Sequence, residues 1–225
     1  MEQSPFKERI ELMKSYPAQI AQALLDDTID IGLVPVAIMP HLKNPQLVSK
    51  YVIGSEGEVA SVALFSQVPM DQIEKVYLDD QSRTSVALAK ILFKQYWKKE
   101  VEFLTASEGY IGQMNGTTAG IIIGDRALAS LDQFEHIYDL GSAWKAYTGL
   151  PFVFAAWVAN KPIPAEFMEA FDAANAYGLA NLDEVIALIP ASEQVYDLHT
   201  YYTQNISYLL TPEKRVGLDK FLEAL

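Results

Sequence analysis

Apolar residues recur along this chain in two rhythms, one helical and one extended. Over 82–97, SRTSVALAKILFKQYW, the residues Val86, Leu88, Ala89, Leu92, Phe93 and Tyr96 return at the 3.6-residue spacing of a helix with one buried face. The stretch 17–27, PAQIAQALLDD, repeats that spacing with Ile20, Ala21, Leu24 and Leu25, and Pro17 suits a first helical turn. IDIGLVPVAIMP, 29–40, is instead a nearly unbroken apolar run with Gly32 and Pro35 inside it, which predicts a buried strand ending at Pro35. RIELMKSY, 9–16, alternates and predicts a short strand, so the first forty residues read strand–helix–strand, a parallel unit. Further on, GSEGEVASVALFSQVP (54–69) is a turn entering a β-rich run, and KVYLDD (75–80) and VEFLTA (101–106) predict short strands. TTAGIIIGDRALAS (117–130) predicts a strand that breaks at Gly124 and Asp125. The segment 136–161 holds two β-like runs around a Gly-rich bend; after it the chain is mainly helical, with Thr211, Pro212 and Glu213 marking a helix start.

DIGLVPVA (30–37) and AGIIIGDRA (119–127) both run apolar into a break followed by a small residue, which predicts two comparable α/β halves. The fold class expected is α/β and two-lobed, with a mixed, mostly parallel sheet in each lobe. One lobe is expected to take 1–65 with 153–225 and the other 66–152, with a ligand cleft between them. In such folds the ligand lies beyond the carboxyl ends of the strands.

Composition narrows the chemistry. The chain has 225 residues, half of them hydrophobic and a fifth charged, enough for a substantial core. No apolar run approaches the roughly 18–20 residues that span a bilayer, and MEQSPFKERIELMK has no apolar stretch behind its charges, so a cytoplasmic location is expected. There is no cysteine, which excludes disulfides and thiolate metal sites. A net charge of −12 disfavours nucleic acid and anionic membranes as partners, so an anionic ligand must be drawn by a local site. His41, His136 and His199 have no metal-ligand spacing, none stands beside a serine in a nucleophile-elbow pattern, and no Gly-rich phosphate loop is present. Neither a metal nor a cofactor is expected.

Against that acidic background, Ser82, Arg83, Thr84 and Ser85 stand where a strand ends and a helix begins. Ser82 can cap the helix. The first-turn N–H groups, with the Thr84 and Ser85 hydroxyls, can equally hold a carboxylate, because a helix start combines unpaired donors with the positive end of the dipole. The two readings are compatible. Arg83 can pair with Asp79 or Asp80 at the surface. Ser61, on a half-buried strand, shares a face with Ala63 while Val62 and Leu64 take the other; it can donate to a ligand or simply pack tightly. Gly124 permits close backbone approach, and Asp125 can cap the next helix or receive a ligand hydroxyl. Arg126 reads as a surface charge.

Taken together, DIGLVPVA, VASVALFS, LDDQSRTSVALAKIL, IIIGDRAL and YDLGSAWKAYTGLPFVFAAW, with the closing YYTQNISYLLTPEKRVGLDKFLEAL, resemble in kind and order the chorismate dehydratases of the futalosine route to menaquinone. The resemblance covers nearly the whole chain, and SRTS followed by TGLPFVFAAW is its most specific part. It implies a fold like the type II periplasmic solute-binding proteins and a lyase converting chorismate, a small dicarboxylate, to 3-[(1-carboxyvinyl)oxy]benzoate and water. It implies that Ser61, Thr84 and Ser85 grip the substrate and that Gly124 and Asp125 line the opposite wall. No side chain stands out as the base. Members of that family begin with a strand and turn carrying an Asn taken to touch the substrate. This chain starts after it, so the resemblance leads us to expect reduced catalysis and stability. The related dihydroxynaphthoate synthase, and a non-catalytic receptor for a small carboxylate, are the alternatives; SRTS and TGLPFVFAAW favour the dehydratase.

Overall fold

The computed structural model describes residues 5–79, 82–190 and 194–225. Its strands are β1 (Ile31–Pro35), β2 (Gln46–Ser55), β3 (Val62–Ser66), β4 (Lys75–Leu78), β5 (Glu102–Thr105), β6 (Thr118–Ile123), β7 (His136–Asp139), β8 (Phe152–Ala159) and β9 (Ser207–Leu209). Its helices are α1 (Pro17–Leu25), α2 (Arg83–Ile91), α3 (Asp125–Leu128), α4 (Leu140–Thr148), α5 (Ala165–Ala180), α6 (Leu182–Ala187), α7 (Leu198–Thr200) and α8 (Pro212–Glu223). The strands form two sheets, ordered β1-β8-β2-β9 and β5-β4-β6-β3-β7, one per lobe.

The second sheet is mixed: β4 pairs parallel with β5 and β6, whereas β3 pairs antiparallel with β6 and β7. The first is antiparallel in every pairing, which corrects the expectation of mostly parallel ladders there. Strand β8 returns from the second lobe and inserts between β1 and β2, with Ile31 opposite Ala159 and Pro35 opposite Ala155. Pro35, which has no N–H to give a ladder, ends a strand at the sheet's edge. Strand β3 ladders with β6 and β7, so the first crossover lies between Ser55 and Val62.

Strand β3 explains how both faces of the second sheet are covered. All five of its residues are buried. Val62 and Leu64 join the large core that runs through both lobes with Val36, Ile38, Leu88, Ile121, Trp144, Phe152 and Phe221. Ala63 and Phe65 join a separate cluster with Tyr110, Ile122 and Ala127 on the other face. The alternation expected of Val62, Ala63 and Leu64 is therefore present, on a strand buried on both sides and not half-buried, while Ser61 stands just before it.

Helix α1 begins at Pro17 as its sequence predicts. Residues 9–16 do not form the expected strand: a 3-10 turn spans Pro5–Arg9 and no ladder follows among the described residues. Leu12 and Met13 stay exposed, and β1 has no second neighbour among the described residues. A groove of about 810 Å³ separates 9–15 from 28–33, floored by Trp157, Phe167 and Phe171. Helix α2 continues beyond Ile91 as a π turn, Leu92–Tyr96, completing the element predicted over 82–97. No helix among the described residues is long and apolar enough to cross a membrane.

Candidate active site

Strand direction gathers the candidate residues at one edge of the second sheet. Parallel β4 and β6 end there at Leu78 and Ile123, and antiparallel β3 starts there, with Val62 opposite Ile123. Strand β7 ends at the same edge, its Asp139 opposite Ala63. Ser61, Gly124 with Asp125, Asp139 and the start of α2 thus come from four separate chain segments and share one rim, the position where open α/β sheets bind ligands.

At the start of α2, Ser82 is the cap: its side chain accepts the Ser85 N–H at 3.4 Å and its hydroxyl donates to Ser85 Oγ at 2.7 Å. Thr84 and Ser85 are each 2% exposed. The Ala37 N–H of the first lobe donates to Thr84 Oγ1 at 3.2 Å. The two hydroxyls expected to face the cleft are thus engaged by the protein, and the turn Val36–His41 packs on the helix tip. Arg83 is exposed and makes no ion pair among the described residues. Asp79 pairs with Arg126, which the sequence reads as a surface charge; Asp80 lies outside the described residues. The Asp79 side chain is 5% exposed, so Arg126 neutralises a charge that burial would otherwise make costly. The Ser82 N–H donates to the Asp79 carbonyl at 3.1 Å, which ties that pair to the cap.

Gly124 precedes α3 with φ 64° and ψ −147°, a conformation open essentially to glycine alone. Its N–H donates to the Ser61 carbonyl at 2.8 Å, and a Cβ there would meet nothing within 4 Å, so its backbone is bare toward open space. Gly124 takes the cap position, and Asp125 is the exposed first residue of α3. Ser61 is 4% exposed, and Tyr201 donates to its hydroxyl at 2.9 Å. Burial raises the pKa of Tyr201, and burial with the nearby Asp125 charge raises that of Tyr202, so both phenols stay neutral.

Beside Ser61, Asp139 binds the first crossover. Its carboxylate accepts the N–H groups of Val59 at 3.0 Å and Ala60 at 2.8 Å, and it caps α4 through Ser142 N–H at 2.8 Å. Ala60 has φ 59°, an uncommon value for a residue with a side chain, and these bonds hold it there.

Two residues of this rim, Asp139 and Tyr201, escape a reading by sequence alone, and Asp79 takes Arg126 as its partner where the sequence suggests Arg83. Asp139 carried a usable signal, since it stands three residues before Ser142 and ten before Gly149, which closes α4 with φ 76°. That cap pair marks a helix within a stretch read as two strands around a bend. Tyr201 carried none, because its contact with Ser61 joins residues 140 positions apart.

The chain is 29% identical to the chorismate dehydratase of Thermus thermophilus over 247 aligned positions, covering 97% of this chain and 88% of that protein. Among solved structures it superposes on a protein from Archaeoglobus fulgidus with a TM-score of 0.68 at 12% identity, over 95% of this chain and 84% of that one. An ABC transporter structure from Parabacteroides distasonis gives 0.64 at 16% identity, over 95% and 80%. The periplasmic aliphatic sulphonate binding protein of Escherichia coli gives 0.53 at 16% identity, over 94% and 74%. The last three likenesses concern the fold, which is that of the periplasmic-binding-protein-like substrate-binding proteins. The family model described as "Menaquinone biosynthesis" matches residues 2–225, and the chain belongs to that family.

Proposed function

We propose that this protein is a lyase that dehydrates chorismate to 3-[(1-carboxyvinyl)oxy]benzoate in menaquinone biosynthesis, acting at the rim described above. The observation that carries the reading is the convergence of Ser61, Gly124, Asp125 and the start of α2 on one edge of the second sheet, in a chain of this family. The Thermus thermophilus relative bears the dehydratase name.

Ser61 and the first turn of α2, with Ser82, Arg83, Thr84 and Ser85, bind the substrate's carboxylates. Gly124 and Asp125 adjoin Ser61 on the same rim, where Gly124 is bonded to the Ser61 carbonyl, and they complete the substrate's surroundings. Thr84 becomes available to the substrate when the lobes part and the bond from Ala37 opens. The reaction removes a proton from the ring carbon bearing the ether oxygen and a hydroxide from its neighbour, which leave together as water. The ring becomes aromatic, so the driving force is built into the substrate and the protein's task is orientation. A substrate carboxylate takes the proton, which accounts for a rim without a dedicated basic side chain.

Incubating the purified protein with chorismate and separating the products by chromatography tests the reading. Appearance of 3-[(1-carboxyvinyl)oxy]benzoate supports it. Binding without turnover supports a carboxylate receptor, and unchanged chorismate with no binding rejects both. Esterifying the carboxylate nearest the departing proton should abolish turnover of substrate that still binds.

A further inference from the structure

Ser61 has its backbone fixed on both sides: its N–H donates to the Val59 carbonyl at 2.7 Å and its carbonyl accepts the Gly124 N–H at 2.8 Å. What remains adjustable is the torsion that aims the hydroxyl proton. Tyr201 acts on that torsion, with its phenol oxygen 2.9 Å from Ser61 Oγ. Tyr201 opens the π turn Tyr201–Asn205, which leads into β9 of the first sheet, whereas Ser61 immediately precedes β3 of the second. The contact therefore spans the two lobes.

Three facts give the pair a direction. The phenol is neutral and has one proton to give, and Ser61 Oγ is the acceptor it reaches among the described residues. Once Ser61 accepts that proton, its own hydroxyl hydrogen is turned elsewhere. Ser61 is 4% exposed, and among the described residues no protein acceptor takes that hydrogen. The ring cannot swing aside readily, because Tyr196 packs edge-on with centroids 6.4 Å apart and Tyr202 at 5.1 Å.

We propose that Tyr201 is a positioning residue: it holds the Ser61 hydroxyl as a donor to a carboxylate of the bound substrate, and it makes that donor available only when the C-terminal segment of the first lobe is seated on the rim. This rests on the dehydratase reading of the same site. Tyr201 acts through Ser61, so its effect belongs to binding and passes entirely through the serine.

The test is a double-mutant cycle on the full chain with chorismate as probe. Tyr201→Phe keeps the ring between Tyr196 and Tyr202, and a thermal melt checks that the variant is folded. We expect KM to rise about tenfold with kcat changed far less, the size expected for one hydrogen bond to a charged group. Ser61→Ala should raise KM at least as much, and the double variant should match Ser61→Ala alone. A Tyr201→Phe variant with unchanged KM, or two effects that multiply, overturns the proposal, and so does a loss confined to kcat. If the wild type binds chorismate without converting it, the dehydratase reading fails while the ratio of Kd values from calorimetry decides the Tyr201 role by the same criteria. A wild type that neither binds nor converts chorismate overturns both.

Discussion

Ala60 and Asp139 are joined by a 2.8 Å hydrogen bond from the alanine N–H to the aspartate carboxylate, and that bond fastens the first crossover to the end of β7. Removing the acceptor strands donors that the fold has withdrawn from water. Asp139→Ala should lower stability by about 3 kcal/mol, measured by urea denaturation, since each unsatisfied buried donor costs roughly 1–3 kcal/mol.

The same carboxylate makes a prediction about pH. Burial raises the Asp139 pKa above 3.8, against the pull of its three N–H donors. An acid raised in the folded chain contributes stability that is complete below its unfolded pKa and is lost as pH rises through its folded pKa. Asp139→Asn, which cannot ionise, should therefore lack the part of the stability decline that the wild type shows as pH climbs from the ordinary carboxylate value. Parallel pH profiles for the two proteins would contradict this.

Two glycines should respond in opposite directions to the same substitution. A Cβ on Gly141 would stand 2.3 Å from the Gly57 carbonyl oxygen and 2.6 Å from Ser55 Oγ, so α4 can approach the first crossover only without one. Gly141→Ala should cost about 2 kcal/mol or more, in the range of forced overpacking. Gly178, in α5, would meet nothing within 4 Å, and Gly178→Ala should add about 0.5–1 kcal/mol through helix propensity. Urea midpoints that move together would contradict the packing described at Gly141.

Buried charges supply the next test. Lys214 is 0% exposed and its ammonium donates to Ser207 Oγ at 2.5 Å and to the Leu209 carbonyl at 2.8 Å, with Glu56 at 2.9 Å. It fastens α8 to β9. Lys214→Met should lower stability by about 3 kcal/mol because the acceptors lose their donor. Glu56→Gln keeps an oxygen acceptor but removes the counter-charge of that buried ammonium, and should cost about 1–3 kcal/mol, less than Lys214→Met. Similarly, Arg126→Leu takes from the buried Asp79 its cationic partner and should cost about 3 kcal/mol, most of it recovered when Asp79→Asn is added.

The helical and extended rhythms of the chain located α1, α2, β1, β4, β5 and β6, because each of these buries a face whose spacing is written in consecutive residues. What they could not reach was set by distant partners. β1 reads like a parallel strand because it is apolar throughout, but its neighbour is β8, and the direction of β8 is fixed by where the second crossover enters the first lobe. Residues 9–16 alternate as a strand does, yet they line a groove shared with the edge strand β1 and make no ladder among the described residues. At the rim, Ser61, Gly124, Asp125 and the Ser82 cap were legible as local patterns of small and polar residues at strand ends. The burial of Thr84 and Ser85 was not, since it comes from the Val36–His41 turn of the other lobe.

The most direct measurement is a crystal structure of the protein with 3-[(1-carboxyvinyl)oxy]benzoate, refined without restraints on where the ligand lies. The account predicts density at the second sheet's rim, with one carboxylate within hydrogen-bond distance of Ser61 Oγ and the other at the first turn of α2, facing Gly124 and Asp125. Density in the groove between 9–15 and 28–33, or at the rim with both carboxylates in solvent, would contradict it.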